Sequence, residues 1–272
     1  MFEKERIVMT TAFKGTALPL DREGIADVCD RMGVKAAELW AVLTVETSGC
    51  GFLPDRRPKI LFERHIFSRE TGSRFDMSNP DISNKTPGGY GSGGANQYDR
   101  LNRALALDRK AALRSASWGI GQVMGFNAEI AGYSDVETLV NAMTVSEDEQ
   151  LRAMTGEIIY NGLHKALSAH DWPAFARGYN GQDYAKNNYD TRLAAAYQKY
   201  TAGQLPDIDL RAAQVYLTYL GYQPGSIDGV PGTLTYSALN AFQQQNGLAK
   251  TNEINEDILS TLKDKALSGN DG

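Results

Sequence analysis

Residues 39–52 read LWAVLTVETSGCGF. Apolar side chains dominate the run up to Val45; Glu46 then precedes Thr47, Ser48 and Gly49, a small, turn-prone cluster. Leu39, Val42, Leu43 and Glu46 recur at helical spacing, which predicts a helix from Ala36 to about Ser48 with Gly49 just past its end. The Glu46 carboxyl then lies on the inward stripe or at the edge of the core. Apolar neighbours and the partially negative helix C-terminus both disfavour its ionised form. A carboxylic acid that holds its proton near neutral pH is what general acid catalysis requires. From this stretch alone, a glutamate exposed on a last helical turn is the alternative reading.

Upstream, Ile25, Val28, Cys29 and Met32 mark one face of a helix from Arg22 to Met32, with Asp21 as N-cap and Gly33 as stop. Downstream, KILFERHIF (59–67) fits either a short strand or a helix. A long irregular stretch follows, SRFDMSNPDISNKTPGGYGSGGANQYD (73–99), with Gly88, Gly89, Gly91, Gly93 and Gly94 close together. Such a loop inside a domain is a functional lid or groove wall, or a floppy insertion. Helices are predicted again over about 98–115, 135–143, 147–169, 172–178 and 184–200. Strand signals are few, so the chain to about Thr201 reads as mainly α.

TAGQLPDID (201–209) is small, polar and interrupted by Pro206, which reads as a linker. The expected organisation is a large part over 1–202, a linker over 203–209 and a compact unit over 210–272. In that last unit Leu210, Ala213, Leu217 and Leu220 stripe a first helix, and QPGSIDGVPG (223–232) supplies dense turn chemistry. A second helix is predicted to bury Leu234, Ala238 and Phe242. Asn255 can cap a third helix carrying Ile258, Leu259 and Leu262. Three helices this short make a marginal core, which suits a binding module better than an active site.

The formal net charge of −5 gives no reason to expect nucleic-acid binding. The longest apolar runs fall far short of a membrane span. MFEKERIVMT at the start is charged and has no apolar h-region, so no secretory signal is expected. Cys29 and Cys50 make no disulfide framework and are expected as buried thiols. His65, His164 and His170 show no metal-ligand spacing, so neither a metal nor another cofactor is expected.

Two further stretches can carry chemistry. ASWGIGQVMGFN (116–127) surrounds Ser117 and Gln122 with small residues, beside Trp118, Val123 and Met124. Glycines at 119 and 121 let backbone approach a ligand; a Gly-rich helix start packed in the core is the plainer reading. FARGYNGQDY (175–184) puts Tyr179 and Asn180 at an interrupted helix end. There they can hydrogen-bond a saccharide or orient an acid, or form a simple C-cap with a buried tyrosine.

A glutamate ending a helix, then Ser-x-Gly-x-x-Gln, then Tyr-Asn-Gly, in that order, resembles the lysozyme superfamily. The tighter resemblance is to the N-acetylmuramidase domain of bacteriophage endolysins, where ET-x-G-x-GF is followed by [KR]-I-L-F-E-R-H-x-F. This chain carries ETSGCGF, KILFERHIF and SWGIGQVMG, and the resemblance spans about residues 15–200. It implies a mainly α, lysozyme-like catalytic domain with at most a small β element, and Glu46 as the catalytic acid. The C-terminal unit resembles the three-helix peptidoglycan-binding domain of wall hydrolases over about 208–265. LGYQPGSIDGVPGTLT and AFQQQNGL carry that match, with Asp228, Gly229, Gly232, Thr235 and Phe242 as its candidate wall-binding residues. The later LAKTNEINEDILSTL lacks the usual DG-x-x-G-x-x-T second half.

A glycoside hydrolase usually needs a second carboxylate. Asp55, Glu63, Glu70 and Asp76 follow Glu46. Glu63 is favoured because Arg64 and His65 flank it, and neighbouring cations keep a base ionised; a structural Arg–Glu ion pair is the alternative. Ser117, Gln122, Tyr179, Asn180 and His65 are the substrate-binding candidates. Together the two resemblances imply a modular endolysin that hydrolyses the β-1,4 bond between N-acetylmuramic acid and N-acetylglucosamine in peptidoglycan, for host lysis. They imply a monomer with no stable membrane insertion. It would wait in the host cytoplasm until a separate membrane-permeabilising protein, a holin, lets it reach the wall. The rivals are a lytic transglycosylase, in which the sugar's own 6-hydroxyl attacks, a wall-binding phage protein with a dead cleft, and a zinc amidase or peptidase.

Overall fold

The computed structural model describes residues 13–47, 49–182 and 184–268. In chain order it begins with α1 (Arg22–Met32), α2 (Ala36–Glu46), β1 (Ile60–Phe62) and α3 (Arg64–Glu70). Next come α4 (Asn96–Leu107), α5 (Arg109–Arg114), β2 (Ala116–Trp118) and β3 (Val123–Met124). Then follow α6 (Val136–Met143), α7 (Glu147–Tyr160), α8 (Leu163–Ser168), α9 (Trp172–Asn180) and α10 (Tyr189–Ala202). The last three helices are α11 (Ile208–Tyr219), α12 (Thr233–Gln245) and α13 (Glu256–Ser268). The fold is mainly α with one small sheet. It divides into two compact units, Met1–Ala17 with Gly51–Asn161, and Leu18–Cys50 with Gly162–Gly272.

In the first unit β1, β2 and β3 form an antiparallel sheet in that order, pairing Ile60 with Trp118 and Ser117 with Met124. KILFERHIF is thus both things its pattern allowed, a short strand and then helix α3. SWGIGQVM is a β-hairpin, not a helix start. Trp118 anchors it: the side chain is fully buried, its indole N–H donates to the Leu113 carbonyl, and the ring meets Phe13. Gln150, buried on α7, accepts from the Ile120 N–H at 2.8 Å and donates to the Met143 carbonyl at 2.9 Å. Gly119 turns the hairpin at φ +72°, and a Cβ there would sit 2.6 Å from the Gln150 side chain, so only glycine fits. Buried Glu147, also on α7, accepts from the Gly51 N–H at 2.8 Å.

The predicted helix over 98–115 is two helices. Asp108 closes α4, and its carboxylate then caps α5 by accepting from the Ala111 N–H. The Gly-rich stretch is tied down at its carbonyls. Arg64 donates to Thr86 O, Arg100 to Gly89 O, and Gln97 to Tyr90 O and Ser92 O.

The second unit contains α1, with the expected ends: Asp21 accepts from the Gly24 N–H, and Gly33 is left-handed at φ +66°. α2 packs along α10 and is buried almost all round. Buried Glu38 in its first turn pairs with His170 Nε2 at 2.8 Å. The predicted helix over 147–169 breaks at Gly162, φ +69°, which separates α7 from α8. The C-terminal three helices bury Ala213, Leu217, Leu239, Phe242 and Leu262 against one another. Asn255 caps the last of them through the Ile258 N–H. One core residue was misread: Leu234 is 62 % exposed, and Leu239 takes the inward place. Leu234 is in the first turn of α12, where it borders the groove beside Gly225.

Both cysteines are buried, and burial pushes the Cys29 thiol up to about 11. Among the described residues no helix is long and apolar enough to cross a membrane, and no cluster of three His, Cys, Asp or Glu side chains is placed to hold a metal ion.

Candidate active site

Glu46 is the last residue of α2. Its half-buried carboxyl accepts from Asn180 Nδ2 at 2.9 Å, from the last residue of α9. Burial raises the Glu46 pKa above the ordinary carboxylate value; the Asn180 donor and the Arg192 charge pull the other way. Arg192 on α10 also donates to the Val45 carbonyl, which caps the negative end of α2. Thr44 Oγ1 meets Tyr200 OH at 2.7 Å, locking α2 to α10 two residues before the acid. Tyr179 stacks its ring on buried Phe175, 5.6 Å between centroids. Gly181, φ +81°, ends α9 there. Among the described residues the acid thus meets a neutral donor, Asn180, with the Arg192 guanidinium at the helix terminus.

Glu63 precedes α3, and its backbone N–H donates to Ser115 O. Tyr90 OH from the Gly-rich loop donates to Glu63 Oε1 at 3.1 Å, and His65 Nδ1 lies 3.1 Å from Oε2. The Nδ1–Oε2 approach lacks hydrogen-bond geometry, so the two groups are neighbours without a bond between them. The Arg64 guanidinium turns instead to the Thr86 carbonyl. The other three carboxylates have saturating local partners: Asp55 with Arg57, Glu70 with Arg114 and Arg69, Asp76 with Ser68 and Ser83. The Arg114 and Arg69 hydrogen bonds hold Glu70 below its usual range against the opposing effect of burial.

Ser117 and Gln122 meet each other. Ser117, buried in β2, donates to Gln122 Oε1 at 2.8 Å, and Gln122 Nε2 donates back to Gly119 O at 2.8 Å. The glutamine closes the hairpin turn on itself, with φ +49° at its own backbone.

In the C-terminal module, Gln214 of α11 is fully buried and organises the IDG turn. Its Oε1 accepts from the Asp228 and Gly229 N–H groups at 3.0 and 2.9 Å, and its Nε2 donates to Thr235 Oγ1 at 3.2 Å. A groove of about 240 Å³ lies over this turn, lined by Gln214, Asp228, Gly232, Thr235 and the exposed Val230 and Leu234. Phe242 belongs to the core beneath and does not line the groove. Sequence reading missed Arg192, Tyr90 and Gln214. Arg192 touches Val45 across 147 residues of chain, a contact that no local pattern announces.

Comparison with known families matches residues 35–201 to the N-acetylmuramidase model and residues 207–262 to the putative peptidoglycan binding domain. No curated protein matches. Among solved structures, the chain is similar to a Burkholderia AP3 phage endolysin crystal structure, at 40% sequence identity and a TM-score of 0.64. That match covers 67% of this chain and 71% of the endolysin chain.

Proposed function

The chain belongs to the N-acetylmuramidase family, and from that premise we propose that it is a modular endolysin cutting the β-1,4 bond between N-acetylmuramic acid and N-acetylglucosamine. The observation that carries the reading is the Glu46 carboxyl, desolvated at a helix end and held by the Asn180 donor. A carboxyl whose pKa lies above the ordinary value delivers a proton at a pH where exposed carboxylates have lost theirs. In the proposed step Glu46 gives that proton to the bridging oxygen as the bond to the muramic acid C1 breaks. The developing positive charge on the sugar ring is met by Glu63, or by a water that Glu63 deprotonates. The Tyr90 hydroxyl holds that second carboxylate in place, with His65 beside it. Gln122, Tyr179 and Asn180 would contact the glycan, and Ser117 would hold Gln122.

The division of labour proposed is catalysis by 1–202, a linker over 203–209, and wall binding by 210–272. The module raises the local concentration of glycan around the catalytic part. Its candidate contact surface is the groove over the IDG turn, with Asp228 for polar contacts and the exposed Val230 and Leu234 for apolar ones; buried Thr235 holds the floor of the groove through the Pro224 carbonyl. The test is mass spectrometry of digested peptidoglycan. Reducing N-acetylmuramic acid ends are expected. Ends carrying 1,6-anhydromuramic acid would instead mean that the sugar's 6-hydroxyl attacks, which removes Glu63 from the chemistry.

A further inference from the structure

Arg211 is a cation the proposed chemistry does not use. It lies on α11 in the wall-binding module, yet it is 2 % exposed, and its guanidinium donates to the Gly49 carbonyl, three residues beyond Glu46. Both partners belong to the same compact unit. Burying a guanidinium is unfavourable unless its donors find acceptors, so the carbonyl at 49 is part of what permits this arginine to be there. The module's own core does not call for it: the buried cluster of Ala213, Leu217, Leu239, Phe242 and Leu262 closes among residues of the module.

A second contact reaches the same place independently. Gly49 is left-handed, φ +83°, and a Cβ on it would stand 3.0 Å from the Ile227 carbonyl oxygen. Ile227 immediately precedes Asp228 in the turn that forms the wall-binding groove. That turn is held by Gln214, which follows Arg211 by three residues and so shares its face of α11. One helix face thus holds the groove turn with Gln214 and the turn after Glu46 with Arg211. A module acting only as a tether needs neither contact.

We infer that the wall-binding module is part of the catalytic scaffold, and that Arg211 is a positioning residue fixing the turn that follows Glu46. The inference rests on Glu46 being the acid. Catalytic geometry tolerates little displacement: a misplacement of about 1 Å can lower turnover about a hundredfold. Releasing the Gly49 carbonyl lets the end of α2 relax and changes the surroundings of the Glu46 carboxyl.

The experiment uses the full chain and purified peptidoglycan walls. Wild type, Glu46→Gln, Arg211→Met and Arg211→Lys are compared in turnover at saturating walls, the pH dependence of that turnover, and thermal melting. Retention on walls is measured by sedimentation, with the Arg211 changes placed in the Glu46→Gln background so that the walls stay intact. Arg211→Met is expected to keep wall retention and lose turnover by roughly tenfold or more. Its alkaline limb should move, and Arg211→Lys should recover part of both. A purely structural arginine would lower the melting temperature and leave the pH limb where it was. Equal turnover and an equal limb for wild type and Arg211→Met, with Glu46→Gln inactive, overturns the inference alone. Equal turnover by wild type and Glu46→Gln overturns the assignment beneath it, and this inference with it. Should Arg211→Met not fold, Arg211→Lys decides: a lowered turnover with a moved limb supports the inference, and wild-type values for both overturn it.

Discussion

Replacing Glu157 by glutamine should stabilise the protein, but only at neutral and alkaline pH. Glu157 lies on α7, and its Oε1 accepts from Asn127 Nδ2 at 2.7 Å. Burial pushes its pKa from 4.5 up to about 7, with the Asn127 donor pulling weakly the other way. The native protein therefore keeps this proton up to about pH 7, while the unfolded chain releases it at the ordinary value. Between those limits the native state binds more protons, so stability falls as pH rises. The penalty is absent below about pH 4.5 and complete above about pH 7. At about 1.36 kcal/mol per unit the shift corresponds to about 3 kcal/mol, and the side chain's remaining exposure reduces this to about 2–3 kcal/mol. Glutamine keeps an acceptor for Asn127 and cannot ionise. Urea unfolding of both proteins at pH 4 and pH 8 measures the difference. Equal midpoints are expected at pH 4 and a higher midpoint for the variant at pH 8. A difference independent of pH would refute the reasoning, because it would place the Glu157 pKa at its ordinary value.

The catalytic groups give two further expectations. Asn180→Ala removes the donor that lowers the Glu46 pKa, so the alkaline limb of turnover should move to higher pH while the rate itself falls; a limb moved to lower pH would contradict the contact's role. Tyr90→Phe removes the hydroxyl that donates to Glu63. A loss of about 1 kcal/mol, or roughly fivefold in turnover, is expected in steady-state assays on walls, and an unchanged rate would leave the Gly-rich loop without a part in the reaction.

Long periodic segments were legible in the sequence because their signals are local. α1 has its N-cap and its glycine stop where Asp21 and Gly33 announce them; α2 starts where expected but ends at Glu46, short of the predicted end near Ser48, with extended Thr47 and not Gly49 as its cap. The hairpin was not legible. β2 is three residues long with both faces covered, so no alternation of polar and apolar side chains marks it. The helix breaks at Asp108 and Gly162 had signals, a capping aspartate and a glycine, that were outweighed by apolar periodicity on both sides. Leu234 kept the four-residue spacing of a buried stripe yet falls outside the core, since periodicity gives a face and not the length over which that face is covered. At the site, Glu46 and Asn180 were each readable from short motifs, and the structure supplies the 2.9 Å bond between them. Tyr90 was hidden in a Gly-rich loop whose order depends on arginine and glutamine side chains from other segments.

The most direct test of the account is Glu46→Gln assayed for release of soluble muropeptides from purified walls. Glutamine keeps the shape and the Asn180 partner but has no proton to donate to a leaving oxygen. Folded, wall-retained and inactive protein is the expected result. Release at the wild-type rate would contradict the claim that the proton on residue 46 breaks the glycosidic bond.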